Sequence, residues 1–173
     1  MAATEKEICF VQAKESDLNR IFEMFQSAIT DMEEKGIFQW DELYPDRDIL
    51  KEDIQKGQLY VGFIKNEPVA AYVLNQECDE EYANGRWEYE GDSYIVIHRL
   101  CVNPKYQNYG IGTFTMKYIE ECARKKGKES VRLDAFTENP IAKKLYEGLG
   151  YQIVGFANFR KGRFFLMEKG LSV

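Results

Sequence analysis

The chain is poor in the residues from which metal and redox centres are built. Its 173 residues include one histidine, His98, and four scattered cysteines, Cys9, Cys78, Cys101 and Cys122. No two cysteines have the spacing of a zinc knuckle or a redox dithiol, so no metal is expected. Cys9 and Cys101 fall in apolar runs and read as small buried hydrophobes. Positive charge is also outnumbered. The 23 Lys and Arg against 29 Asp and Glu leave a formal charge of −6, which argues against a nucleic-acid binder, whose usual footprint is a basic face. No apolar run approaches the roughly 18 residues of a membrane span. The opening "MAATEKEICF" lacks the apolar core of a secretory signal, and a cytoplasmic setting with reduced thiols is the expectation. There is no Pro/Ser-rich linker, internal repeat or low-complexity tract. At roughly 100–200 residues per domain, one domain over residues 1–173 is expected.

What is present is clear periodicity. "EICFVQA" (7–13) reads as a strand, and Ser16 can cap a helix in which Leu18, Ile21, Phe22, Phe25, Ile29 and Met32 keep helical spacing up to Gly36. A second helix runs through Ile49, Leu50 and Ile54 to Gly57. "QLYVGFI" and "VAAYVLN" flank "KNEP" as an antiparallel hairpin. Residues 77–92 are acidic and turn-rich, and read as a solvated loop or ragged hairpin tip. "YIVIHRLCV" is the strongest strand. A helix comes next, with Phe114, Tyr118, Ile119 and Cys122 read as one side, then the strand "SVRLDAF", the helix "NPIAKKLYEGLG" and a last hairpin across "RKG". The order β-α-α-β-β-β-α-β-α-β-β implies an α/β fold with a mixed, mostly antiparallel sheet flanked by helices and one β-α-β crossover.

The stretch "LCVNPKYQNYGIGTFT" puts Gly110 and Gly112 at the junction of strand and helix. Unpaired amides and the helix dipole make such a junction receptive to an anion, and glycine lets an oxyanion approach without meeting a Cβ. A tight turn without a ligand is the plain alternative. A P-loop needs Gly-Lys-Ser/Thr, which "GIGTFT" lacks. The dinucleotide fingerprint has an acid at a suitable distance, Asp134. It fails at Thr115, where a third small residue is needed, and at the long "NPKYQNY" before the glycines.

"QNYGIG" does match Gln/Arg-x-x-Gly-x-Gly/Ala, and "ENPIAKKLYEGLGY" matches Asn-x-x-Ala-x-x-Leu-Tyr-x-x-x-Gly-Phe/Tyr, in that order and with a strand between. In both motifs and in element order the sequence resembles the GCN5-related N-acetyltransferase (GNAT) superfamily. The resemblance implies an acyl-CoA N-acyltransferase fold with acetyl-CoA as donor. Gln107, Asn108, Tyr109, Gly110, Ile111, Gly112 and Thr113 would present backbone amides to the pyrophosphate. Leu100 and Val102 would pair through their backbone with the pantetheine arm, and Asn139 would touch that arm. Lys143 and Lys144 could reach the nucleotide phosphate or be plain surface.

The resemblance also implies chemistry. Tyr146 matches the tyrosine that faces the departing sulfur, and otherwise packs beside Leu145 and Leu149. His98, by strand alternation on the face of Leu100 and Val102, is a candidate base; the alternative is a half-buried histidine satisfied by a neighbour. The thioester oxygen would be held by a backbone N–H at Leu100–Val102. For the acceptor, "IFQWDELYP" and "ANFRKGRFF" are the implied segments. Trp40, Asp41, Glu42 and Tyr44 could hold an ammonium group, and Arg160 or Arg163 a carboxylate. The expected partner is a small-molecule amine, an amino acid or polyamine for example, acetylated directly in a ternary complex by a monomer or homodimer. A peptide-amine acetyltransferase and a non-catalytic acyl-CoA-binding module are the alternatives.

Overall fold

Seven strands and four helices make up the regular structure among residues 7–171, which the computed structural model describes. Residues 1–6, with which the stretch lacking a signal core begins, lie outside them, as do 172–173. The described chain forms two compact units. One runs to Leu74 and resumes over Arg99–Thr115; the other comprises Asn75–His98 and the chain from Met116 onward.

In the first unit, β1 (Ile8–Gln12), β2 (Leu59–Ile64) and β3 (Glu67–Asn75) form an antiparallel meander, in register from Ile8↔Ile64 to Gln12↔Tyr60 and from Leu59↔Val73 to Ile64↔Glu67. Helices α1 (Leu18–Glu34) and α2 (Arg47–Gln55) bury Ile21, Phe25, Leu50 and Ile54 in one cluster with Leu59, Val61, Ala71, Val73 and Cys101. Each Val, Leu, Ile or Phe among them contributes about 1.5–3 kcal/mol when fully buried. Ser16 does not cap α1. Glu15–Asp17 makes a single 3-10 turn, and Asp17 accepts from the Lys14 backbone N–H at 2.9 Å. Gly36, at φ +76°, ends α1 as expected. Asp46 caps α2 by accepting from the Ile49 N–H at 2.9 Å.

Strand β4 (Tyr94–Val102) starts in the second unit and ends in the first, and α3 (Ile111–Lys125) runs the other way. In the second unit β4 pairs in parallel with β5 (Ser130–Phe136) over three positions, Tyr94↔Ser130 to Val96↔Arg132. Strand β7 (Gly162–Gly170) lies antiparallel between β5 and β6 (Gln152–Phe159), and α4 (Pro140–Gly148) begins at its proline.

Three expectations are corrected here. Cys101 is buried as expected, but Cys9 is exposed, because β1 is largely open to solvent on that side. The buried stripe of α3 is Ile111, Thr115, Met116, Ile119, Glu120 and Ala123, while Tyr118 is exposed. A glutamate lies on the buried side because Lys169 (2.7 Å) and Tyr151 (3.0 Å) both donate to it. The 77–92 segment is a loop with mostly exposed residues, as expected, but aromatic side chains anchor it. Buried Tyr82, in the 3-10 turn Glu80–Asn84, donates to Asp134 at 2.7 Å, and Trp87 stacks on it at 5.5 Å. Glu168 accepts the Glu88 N–H at 2.8 Å, and Arg132 donates to Tyr89 O at 2.8 Å while lying 3.9 Å over the Tyr94 ring.

Candidate active site

The glycine loop is built within the first unit. Asn103 leaves β4 by donating its backbone N–H to Val69 O at 2.8 Å, and its side chain caps the turn Pro104–Tyr106 by accepting from the Lys105 N–H at 3.0 Å. Tyr106 donates to Glu67 at 2.6 Å, and Lys105 bonds the same carboxylate at 3.1 Å. Gln107 donates to Asp31 at 2.7 Å and accepts from Lys35 at 2.9 Å, both on the last turn of α1 or just beyond it. Its own N–H goes to Pro104 O at 3.2 Å. Gln107 therefore anchors the loop; it does not present its amide, a correction to the expected role.

Beyond it the backbone turns twice into the left-handed region, at Asn108 (φ +68°) and Gly110 (φ +75°). Asparagine is among the few non-glycine residues that tolerate this. A Cβ at Gly110 would meet nothing within 4 Å, so the dihedral and not a steric clash selects glycine. The Phe114 N–H is bonded to Gly110 O at 3.0 Å. This is the first i→i−4 bond of α3, so the amides of Ile111, Gly112 and Thr113 have no acceptor in their own helix. Three adjacent donors at the positive end of a 15-residue helix, beside open space above Gly110, fit a pyrophosphate.

Upstream of the loop, Leu100 and Val102 are half-buried at the end of β4. Cys101 between them is buried in the core, and burial pushes its thiol well up, so it is not an acyl-carrying thiolate. The pleat of β4 is broken at Arg99, which sits at φ +51°. Alternation therefore does not carry from His98 to Leu100 and Val102, and the shared-face argument for His98 falls. Arg99 itself makes a two-point bond to buried Asp53, Nε to Oδ2 at 2.9 Å and Nη2 to Oδ1 at 2.6 Å, and its Nη1 donates to the Tyr44 hydroxyl at 2.8 Å. Burial pushes the Asp53 carboxyl up against the pull of the guanidinium. Tyr44 is thus engaged by Arg99. Trp40 is 8% exposed and packs in the core on Phe25 at 5.4 Å, which corrects the expectation of a ring face offered to an acceptor.

In the second unit, Nε2 of His98 lies 2.8 Å from Asn75 Oδ1 and 3.0 Å from Glu77 O. The same Asn75 oxygen accepts the Glu77 N–H at 2.9 Å. Both neighbours of Nε2 are therefore acceptors, so Nε2 carries the proton and any basicity rests on Nδ1. Tyr146 is buried on α4 with its ring edge-on to Tyr151 at 5.9 Å. Burial first, and Asp134 second, push its phenol well above the ordinary tyrosine range. No hydrogen bond engages that hydroxyl among the described residues. Asn139 caps α4 by accepting the Ala142 N–H at 3.1 Å. Lys143 pairs with Glu147 at 2.8 Å and lies 5.6 Å from the Phe165 ring centre. Arg160 is exposed in the last hairpin turn. The Arg99–Asp53 pair was missed from sequence; its one visible sign is an arginine inside an otherwise apolar run.

Known proteins carry the same architecture. The crystal structure of a GNAT-family acetyltransferase from Streptococcus agalactiae 2603 superposes with a TM-score of 0.83 over 96% of each chain, at 20% identity. YncA of Salmonella typhimurium, solved with its cofactor acetyl-CoA, matches with a TM-score of 0.66 over 96% of this chain and 95% of its own, at 16% identity. In sequence, the uncharacterized N-acetyltransferase YesJ of Bacillus subtilis (strain 168) is 28% identical over 127 residues, 72% of this chain and 70% of YesJ. The model of the acetyltransferase (GNAT) family matches residues 18–151, a span that takes in both the glycine loop and the Asn139–Tyr146 motif, and the chain belongs to that family.

Proposed function

We propose that the chain is a single catalytic domain that transfers acetyl from acetyl-CoA directly to a primary amine of a small, positively charged molecule. The observation that carries the reading is the row of amide donors at Ile111, Gly112 and Thr113, which have no acceptor in their own helix and follow the left-handed turns at Asn108 and Gly110. Acetyl-CoA, the ligand of the structural relative YncA, supplies an activated thioester carbonyl. The chain's residues bind and aim it. The loop amides hold the pyrophosphate, and Gln107, fixed by Asp31 and Lys35, keeps the loop in place. Backbone groups at Leu100–Val102 line up the pantetheine arm and donate to the thioester oxygen as charge grows there, an effect often worth a few kcal/mol.

Tyr146 stays protonated at neutral pH because its phenol is pushed up. It donates a hydrogen bond to the departing sulfur without giving up the proton, since a thiol near pKa 8.5 is the stronger acid. The incoming amine, with a pKa of about 10.4 when lysine-like, must lose a proton, and His98 Nδ1 or a water relay accepts it. Seven acidic side chains against one basic between residues 77 and 92 favour a cationic acceptor.

The test is thiol release from acetyl-CoA across free amino acids, polyamines and N-terminal peptides, after thermal shift confirms donor binding. Turnover of small cationic amines is expected. Turnover of peptides alone moves the acceptor to proteins, and binding without any turnover makes the chain an acyl-CoA-binding module.

A further inference from the structure

We propose that Arg99, Asp53 and Tyr44 form a positioning clamp that sets the aim of the β4 backbone toward the thioester. The inference rests on the acetyl-CoA reading above and assigns it residues from α2 and the α1–α2 connection. A long side chain at φ +51° in the middle of a nine-residue strand is a rare arrangement. It persists only where the surroundings over-determine it. Here they do. Three guanidinium nitrogens of Arg99 are held at 2.6–2.9 Å, two by Asp53 and one by Tyr44. The Arg99 and Asp53 side chains are only 14% and 8% exposed. Asp53 cannot drift, because its neighbour Ile54 and the preceding turn's Leu50 are buried in the core and Asp46 caps the helix.

A left-handed residue in a strand interrupts the ladder and re-aims the backbone beyond it. The re-aimed segment is Leu100–Val102, held at its far end by the Asn103 N–H on Val69 O at 2.8 Å. The segment assigned to the pantetheine arm and the thioester oxygen is therefore pinned at both ends, by the left-handed residue at one and a backbone hydrogen bond at the other. A pair that served stability alone would need no strained residue, and any unstrained position beside Asp53 would do. The two-point geometry also requires a guanidinium, because lysine's single ammonium cannot span both carboxylate oxygens. Arg99, Asp53 and Tyr44 act through the backbone, as positioning residues.

The experiment uses acetyl-CoA labelled with carbon-13 at the carbonyl, and reads the infrared carbonyl band of the bound donor beside donor affinity and turnover. The wild type should bind the donor and shift the band to lower frequency than in water. Arg99→Lys should bind acetyl-CoA with affinity within about threefold of wild type, lose the band shift, and turn over about 100-fold more slowly, the size of a lost oxyanion donor. Tyr44→Phe, which removes one exposed hydroxyl, should lose part of the shift, and it decides the matter if Arg99→Lys does not fold. A wild-type-like band in the folded variants overturns the clamp and leaves the acetyltransferase reading standing. Failure of wild type to bind acetyl-CoA overturns both.

Discussion

Replacing Tyr146 by phenylalanine separates its proposed catalytic role from its structural one, because the two roles carry different costs. The ring is 8% exposed and sits edge-on to Tyr151 at 5.9 Å, contacts that phenylalanine keeps. The hydroxyl has no hydrogen-bond partner among the described residues, so its removal breaks no protein hydrogen bond. Stability should stay within about 1 kcal/mol of wild type, a shift of no more than about 2–4 °C in Tm for a chain of this size. In the proposed reaction the same hydroxyl faces a sulfur gaining negative charge. A hydrogen bond to a charged group contributes about 1.5–3 kcal/mol, which at 1.36 kcal/mol per decade is a loss of about 10- to 150-fold in kcat. The KM for acetyl-CoA should barely change, since the interaction grows only as the thioester breaks. The assay is continuous thiol release at saturating donor and amine, alongside a thermal melt of each protein. An acyl donor with a more acidic leaving thiol needs less help and should narrow the gap between wild type and variant. Because the phenol is pushed above its ordinary range, Tyr146 should contribute no alkaline limb to the wild-type rate profile below about pH 10. A kcat within about threefold of wild type would refute the reasoning, as would a fall in activity that merely tracks a collapse in Tm.

Four further outcomes are expected. Gly112→Val puts a branched side chain in the first turn of α3 beside the amide donors, and should abolish thermal stabilisation by acetyl-CoA; stabilisation equal to wild type means the loop does not hold the phosphates. His98→Gln should remove the acidic limb of the kcat/KM profile if Nδ1 takes the amine's proton, and an intact limb assigns that task to water. Glu67 holds the Tyr106 phenol up to about 12 through their 2.6 Å hydrogen bond, and is itself held below the usual carboxylate range by that bond and by Lys105. The Tyr106 contribution to stability is therefore full below about pH 10 and lost as pH rises through about 12, while that of Glu67 is lost as pH falls through its lowered value; Glu67→Gln should return the phenol toward 10 in an ultraviolet titration, and an unmoved titration rejects the pairing. Tyr82→Phe removes the 2.7 Å donation to Asp134 and should cost about 1.5–3 kcal/mol in urea melts while sensitising residues 77–92 to protease; a solvated loop would show neither change.

What could be read from the sequence divides along the range of the interactions involved. Strands β4 and β5 were legible to the residue because their β-branched and apolar side chains favour a pleated surface on their own account. The glycine loop was legible for a related reason, since the need for left-handed backbone and open amides is expressed in adjacent residues. The face of α3 was not, because the short bonds that hold Glu120 inside come from Tyr151 and Lys169, 31 and 49 residues away, with Arg124 a longer contact at 3.9 Å. The anchoring of the 77–92 loop is hidden by its charge. Its acids obscured Tyr82 and Trp87, and the aromatics are what bind it to the rest of its unit. Arg99 is the sharpest case. Read locally, "VIHRLCV" is an uninterrupted strand, and alternation then places His98 on the face of Leu100 and Val102. The partner that holds the Arg99 guanidinium is Asp53, 46 residues earlier in the chain, so no window on the strand could reveal the pairing. Alternation is a dependable guide to which residues of a strand are buried. It is a poor guide to where a strand aims once a long-range ion pair can hold one residue left-handed, and aim is what acetyl transfer asks of the backbone at Leu100–Val102.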